Sequence, residues 1–250
     1  MAQRVQIIGS PLSPYVRKVL VVLDLKGVPY EIDPIVPFFG NDRFSWISPV
    51  RRIPVLIDGP VILPDSSVIC QYLEDQYPEP ILYPRDIADR AGARWLEEFA
   101  DSRMGEVFIW QLFNQVAIKP AVWGEPPDQA LLEKTLKHDV PRVLDYLETQ
   151  VPTEGFLFHA VSIADISVAS FFRNAAFARF QIDPARWPGT ASWVERVLGL
   201  ESFEKLRPVE ERLLRTRPTH ARAALKEMGI PLTNESYGTE EPRRGVMRID

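Results

Sequence analysis

The chain has 250 residues, 46% of them hydrophobic and 25% charged, with a formal net charge of −5. That length suits two modest domains, and the mild negative charge argues against a nucleic-acid partner, whose usual footprint is a basic face. One cysteine, Cys70, excludes an intrachain disulfide and fits a reducing cytoplasm, while His138, His159 and His220 are too scattered to make a metal-ligand cluster.

The first stretch alternates between strand and helix patterns. Arg4–Ile8 reads as a strand, and Pro14–Leu25 as a helix with Val16, Val19, Leu20 and Leu23 near the 3.6 period. Gly27 follows as a helix stop, and Tyr30–Ile35 alternates as a second strand, so the crossover predicts a parallel pair. A loop leads to Val55-Leu56-Ile57 and Val61-Ile62-Leu63, a hairpin turned at Asp58-Gly59. Ser66–Gln76 is a helix that stops before Pro78, and a proline-rich linker spans Tyr77–Arg85.

From Asp86 onward only helical patterns appear. Ala88–Asn114 carries Trp95, Leu96, Phe99, Val107 and Trp110 on one face. Leu132, Leu136, Val140, Val143 and Leu147 repeat at helical spacing, with Pro141 predicting a kink or break at Asp139-Val140. Ser162–Ala178 is apolar and small on most faces, and Thr190–Leu198 follows Pro188. The segment from Pro208 to Asp250 is charged, with a helical stretch at His220–Met228 and then extended or disordered chain. The segment 208–250 is expected to dock over the helical domain or a partner subunit. No apolar run is long enough to span a bilayer, and the N-terminus leaves no room for a signal peptide before the first strand.

The first strand-to-helix junction carries the most chemistry. It reads Ser13-Pro14-Tyr15-Val16-Arg17-Lys18. A Cys-Pro-Tyr-Cys turn at such a place would be a dithiol redox site, because a helix N-terminus lowers a thiol pKa. Ser13 and Val16 occupy the two sulfur positions, which excludes disulfide exchange through that pair. A helix N-terminus with a hydroxyl beside it suits a thiolate supplied by another molecule.

Three further segments extend the pattern: Ser48-Pro49-Val50-Arg51-Arg52-Ile53-Pro54-Val55-Leu56, Asp65-Ser66-Ser67-Val68-Ile69, and Ser162-Ile163-Ala164-Asp165-Ile166. With these, the chain from about Val5 to about Arg207 resembles the glutathione transferase superfamily, in particular its serine-type, cytosolic members. Ser48, Arg52 and Asp65 depart from the commoner Asn, Lys and Glu of that family. The resemblance implies a thioredoxin-like N-terminal domain over 1–80, an all-helical domain over 86–207 with an apolar substrate pocket, and an extension over 208–250. It also implies a cleft between the two domains, a homodimer, a cytoplasmic location, and no metal and no membrane or nucleic-acid partner.

The resemblance assigns roles residue by residue. Ser13 would donate a hydrogen bond to the glutathione sulfur, with Ser10 as the rival hydroxyl. Ile53-Pro54 would be cis, turning the Ile53 backbone outward to pair with the cysteinyl unit as an added strand. Asp65 and Ser66 would hold the γ-glutamyl end, and Arg51 or Arg52 the glycyl carboxylate. Taken alone, the same residues are ordinary: Ser13 and Asp65 as helix caps, and the two arginines as a solvated pair. Ser162 and Asp165 have the logic of a capping box and read as structural. Phe108, Trp110, Phe113 and Trp123 read as core before pocket. The activity implied is glutathione conjugation to an apolar electrophile. The alternatives are a narrower glutathione-dependent isomerase, dehalogenase or ether-cleaving enzyme, a glutathione-dependent reductase, and a non-catalytic carrier or scaffold on the same fold.

Overall fold

A computed structural model of the chain describes residues 4–244. The chain divides into two compact units, Met1–Pro80 joined by Ser202–Asp250, and Ile81–Glu201 between them in sequence.

The first unit is built on a four-stranded sheet. Its elements are β1 (Val5–Ile8), α1 (Pro14–Leu25), β2 (Tyr30–Asp33), α2 (Asp42–Ile47), β3 (Val55–Asp58), β4 (Val61–Leu63) and α3 (Ser66–Gln76). The spatial order is β2-β1-β3-β4. β1 runs parallel to β2, as the crossover predicts, and antiparallel to β3, which forms the expected hairpin with β4. α1 buries Val16, Val19, Leu20 and Leu23 as its period requires, but Arg17 and Lys18 are buried too. Arg17 is held by an ion pair with buried Glu210. This is the thioredoxin-like N-terminal fold, followed by a helical region.

Helix α2 lies where a loop was expected. Only six residues long, it gives too few turns for a period, yet two local features fix it. The Asn41 side chain accepts a hydrogen bond from Phe44 N at 3.0 Å, capping the helix, and the Phe44 ring is fully buried.

The second unit is helical throughout: α4 (Ile87–Phe99), α5 (Gln129–Lys134), α6 (Val140–Glu148), α7 (Ile163–Phe177) and α8 (Pro188–Leu198). α4 runs on as a π-helix over Ala100–Trp123, so the expected helix over 88–114 is longer and changes its hydrogen-bonding pattern part-way. The kink or break expected at Asp139-Val140 takes the form of a change in hydrogen bonding at that place, with the helical run continuing. Thr135–Asp139 forms a π-helical turn between α5 and α6, and Pro141 falls in the first turn of α6, where a missing N–H is tolerated. Phe108 and Phe113 belong to this core: the Phe108 ring lies 5.2 Å from Phe172, and Phe113 lies 6.2 Å from Phe177. The capping box of α7 forms as read. Asp165 accepts from Ser162 N at 2.9 Å and Ser162 Oγ at 2.7 Å, and also from Leu157 N at 3.0 Å and Trp193 Nε1 at 3.1 Å.

The chain then returns to the first unit through α9 (Glu201–Glu204), α10 (Arg207–Leu214) and α11 (Ala221–Glu227). The described part of the extension thus groups with the first unit rather than with the helical domain it was expected to dock over, and beyond the last helix it is extended, as expected. Residues 231–233 lie along the open edge of β2. Ile32 N donates to Pro231 O at 3.0 Å, Thr233 N donates to Ile32 O at 3.2 Å, and Leu232 forms a parallel bridge with Ile32. An edge strand offers such unpaired groups, and covering them removes a site of non-native pairing. The last residues of the extension, 245–250, lie outside the described residues. No helix among the described residues is long and apolar enough to cross a membrane.

Candidate functional site

Strand register gathers the sequence-predicted residues of the first unit at one end of the sheet. Ile8, the last residue of β1, lies opposite Val55, the first of β3. Leu63, the last of β4, lies opposite Leu56. The chain segments that leave or enter the sheet at this end are therefore 9–13, 53–54 and 64–66. They hold Ser13, Ile53, Pro54, Asp65 and Ser66. Loops at the ends of strands in open α/β sheets are where ligands are commonly bound.

Gly9 shows how tightly the first two segments meet. Its φ is +148°, and a Cβ there would lie 2.7 Å from Val16 Cγ2 and 3.0 Å from Ile53 Cβ. Only glycine fits such an approach. The start of α1 is thus packed directly on the segment before Pro54. On the other side, Lys18 Nζ donates to Ser67 Oγ at 3.1 Å, tying α1 to the first turn of α3. Sequence reasoning passed over Lys18; its burial beside a serine of α3 leaves no local signal.

Ser13 is the N-cap residue of α1, with extended backbone angles, but its side chain makes no capping hydrogen bond. Its backbone oxygen accepts the first intrahelical bond, from Arg17 N at 2.9 Å. The half-buried hydroxyl is left to other uses. Ser10 differs. It is 6% exposed, and its Oγ accepts from Leu12 N at 3.4 Å.

The Ile53-Pro54 bond is cis, as the resemblance implies. Among the described residues no hydrogen bond engages the Ile53 N–H or C=O. Just before it, the two arginines part company. Arg51 has φ +51°, and its guanidinium turns into the 37–48 segment, donating to Ser45 Oγ (2.6 Å), Gly40 O (2.8 Å) and Pro37 O (3.2 Å). Burial, with Arg243 adding repulsion, lowers its pKa from the usual guanidinium value. Arg51 thereby braces the 37–48 segment, and Arg52 is the exposed guanidinium of the pair.

Buried Ser48 sets the backbone of Arg52 from both sides. Its Oγ donates to Arg52 O at 2.8 Å and accepts from Arg52 N at 2.9 Å. Replacing Ser48 with Ala leaves both backbone groups unpaired, so stability should fall by about 1–3 kcal/mol. Urea denaturation of the variant checks this; an unchanged midpoint would show that water substitutes for the hydroxyl.

Asp65 caps α3, its Oδ1 accepting from Ser67 N and Val68 N, each at 3.0 Å. The bland reading of Asp65 therefore holds, and it narrows the functional one. Two amides of this helix start are satisfied by Asp65 Oδ1, and Asp65 Oδ2 and the Ser66 hydroxyl take no part in that cap. Trp110 and Trp123 are half-buried and belong to the helical unit.

Residues 7–81 match the family model described as "Glutathione S-transferase, N-terminal domain". That stretch of the chain is similar to this domain. Over 82 residues it is 40% identical to glutathione S-transferase Z1 of Arabidopsis thaliana, covering 32% of this chain and 37% of that one. Over 200 residues it is 25% identical to a glutathione S-transferase of Triticum aestivum, covering 80% of this chain and 91% of that one. Among solved structures, a glutathione S-transferase from Rhodospirillum rubrum F11 superposes with a TM-score of 0.73 at 25% identity, covering 88% and 99% of the two chains. These likenesses support the glutathione S-transferase superfamily, and with it a glutathione-related enzyme.

Proposed function

We propose that the protein is a glutathione transferase of the serine type, joining the sulfur of glutathione to an electrophilic carbon of an apolar substrate. The observation that carries this reading is the Ser13 hydroxyl: it stands at a helix N-terminus, unused as a cap, on a loop packed against the cis Ile53-Pro54 segment.

Glutathione is a peptide with a carboxylate at each end and an amine at one. The unengaged Ile53 backbone suits its cysteinyl unit as an added strand. The Ser66 hydroxyl and the free oxygen of Asp65 suit the γ-glutamyl carboxylate and amine, and the exposed Arg52 suits the glycyl carboxylate. Bound in that way, the thiol sits over the start of α1. An unperturbed thiol with pKa near ~8.5 is mostly protonated at neutral pH. The Ser13 O–H donating to sulfur, with the helix dipole behind it, favours the thiolate. The thiol proton passes to solvent, the thiolate forms the carbon–sulfur bond, and the leaving group departs with its electron pair. Ser13 remains a donor and is never covalently modified. The reading includes a cytoplasmic homodimer acting in detoxification of such electrophiles.

The test is a titration with glutathione at neutral pH, following thiolate ultraviolet absorbance together with the heat of binding. Saturable binding with a growing thiolate signal is expected. Binding without thiolate would favour a carrier, and no binding would overturn the reading.

A further inference from the structure

The cis-proline segment at the site is not held by the sheet alone. Arg52 is fixed by Ser48, which directly follows α2, and Arg51 is anchored on Gly40, Pro37 and Ser45, which precede or belong to α2. Helix α2 is therefore the support of the Arg51–Pro54 segment. At six residues it is too short to be stable by itself.

What steadies α2 comes from the far end of the chain. Tyr237 O accepts from Asn41 N at 2.8 Å, and Asn41 is the residue whose side chain caps α2. Tyr237 N donates to Asp33 Oδ2 at 2.7 Å, at the end of β2. Ser236 Oγ donates to the same carboxylate at 2.9 Å, and Arg222 pairs with it at 3.3 Å. Asp33 is fully buried, and burial pushes its carboxyl above the usual range against the pull of these partners. Asp33 also accepts from Gly9 N through its backbone oxygen at 2.8 Å, so the same residue holds the loop that carries Ser13. The Tyr237 ring packs on the cluster of Ile8, Ile35, Phe44 and Val55 that Ile53 also packs against, with the Arg43 guanidinium 5.2 Å above it.

We infer that Tyr237 is a positioning residue for the glutathione site: its ring, packed on the same cluster as Phe44 and Ile53, seats its backbone against Asn41 and so, through α2, holds the Arg52–Pro54 edge in the shape that pairs with the tripeptide. This inference rests on the proposed glutathione reading for its ligand, but the bracing itself does not. The role is to order a backbone edge, so removing the ring loosens the grip on the peptide without altering the hydroxyl that faces the sulfur.

The experiment compares full-length wild type, Tyr237→Ala and Tyr237→Phe. Three readouts are taken: glutathione affinity by calorimetry, the pKa of the bound thiol from its absorbance against pH, and amide hydrogen exchange without ligand. Tyr237→Ala should weaken affinity about ten-fold, leave the bound-thiol pKa unchanged, and speed exchange at Ser48, Arg51 and Arg52. Tyr237→Phe, which keeps the ring, should restore wild-type values for all three. If exchange quickens only in residues 231–243, or affinity is unchanged, the inference is overturned. A wild type that fails to bind glutathione would defeat the functional reading instead, and the exchange pattern would still decide whether Tyr237 braces the edge.

Discussion

Replacing Ser13 with Ala is expected to leave the fold intact and to remove most of the thiolate from bound glutathione. A hydrogen bond to a charged group is worth about 1.5–3 kcal/mol, and each pKa unit corresponds to about 1.4 kcal/mol. The bound thiol pKa should therefore rise by about one to two units, and the thiolate fraction near neutral pH should fall about ten-fold or more. An ordinary N-cap serine would lower stability by about 1 kcal/mol on the same replacement. Here that loss is not expected, because the side chain makes no capping bond. Thiolate absorbance against pH and a thermal melt of the variant separate the two roles. A lowered melting temperature with thiolate retained would make Ser13 a cap and nothing more. Turnover with any accepted electrophile should fall in step with the thiolate, whereas a carrier would lose nothing.

Asp165→Ala is expected to have the largest effect on stability, and none on glutathione. The carboxylate is fully buried and accepts from two backbone amides, the Ser162 hydroxyl and the Trp193 indole. Truncation strands these donors, each at a cost of about 1–3 kcal/mol before relaxation, so a loss of about 3 kcal/mol or more is expected. For a chain of this size that lowers the melting temperature by about 10 °C. Asp165→Asn keeps one acceptor oxygen and should lose about half as much. Glutathione affinity should not move, because the candidate residues all lie in the other unit. A calorimetric scan beside a glutathione titration gives both numbers, and a coupled loss of affinity would show that the capping box does more than hold α7.

The parts of the fold legible in the sequence were those with a repeating local signal. β1, α1, the β3–β4 hairpin and α3 have full periods and clear stops at Gly27, Asp58-Gly59 and Pro78, and they stand where these place them. Helix α2 has less than two turns, so its Asn41 cap and buried Phe44 were visible only once the structure paired them. Pro141 marks the place where the helical hydrogen bonding changes but not the end of the helical run, because a proline in a first turn costs a helix little. The roles of Asp33 and Tyr237 left no trace at all: they are 204 residues apart, and each alone looks like a surface residue. For the candidate site, Ser13, Ile53, Pro54, Asp65 and Ser66 were legible as motif residues. Which of Arg51 and Arg52 faces outward was not, since it depends on the positive φ at Arg51 and on carbonyls in the 37–40 segment.

The strand-like stretch 231–233 completes a sheet begun near the first residues of the chain. During synthesis, then, the β2 edge stays open while the whole helical unit is being made. A chain emerging at about 5–20 residues per second leaves that edge uncovered for tens of seconds. The first unit is thus the earliest part to appear and the last to close. Its exposed edge is the place where a nascent copy of this protein is most open to pairing with a neighbour, or to being shielded by a chaperone.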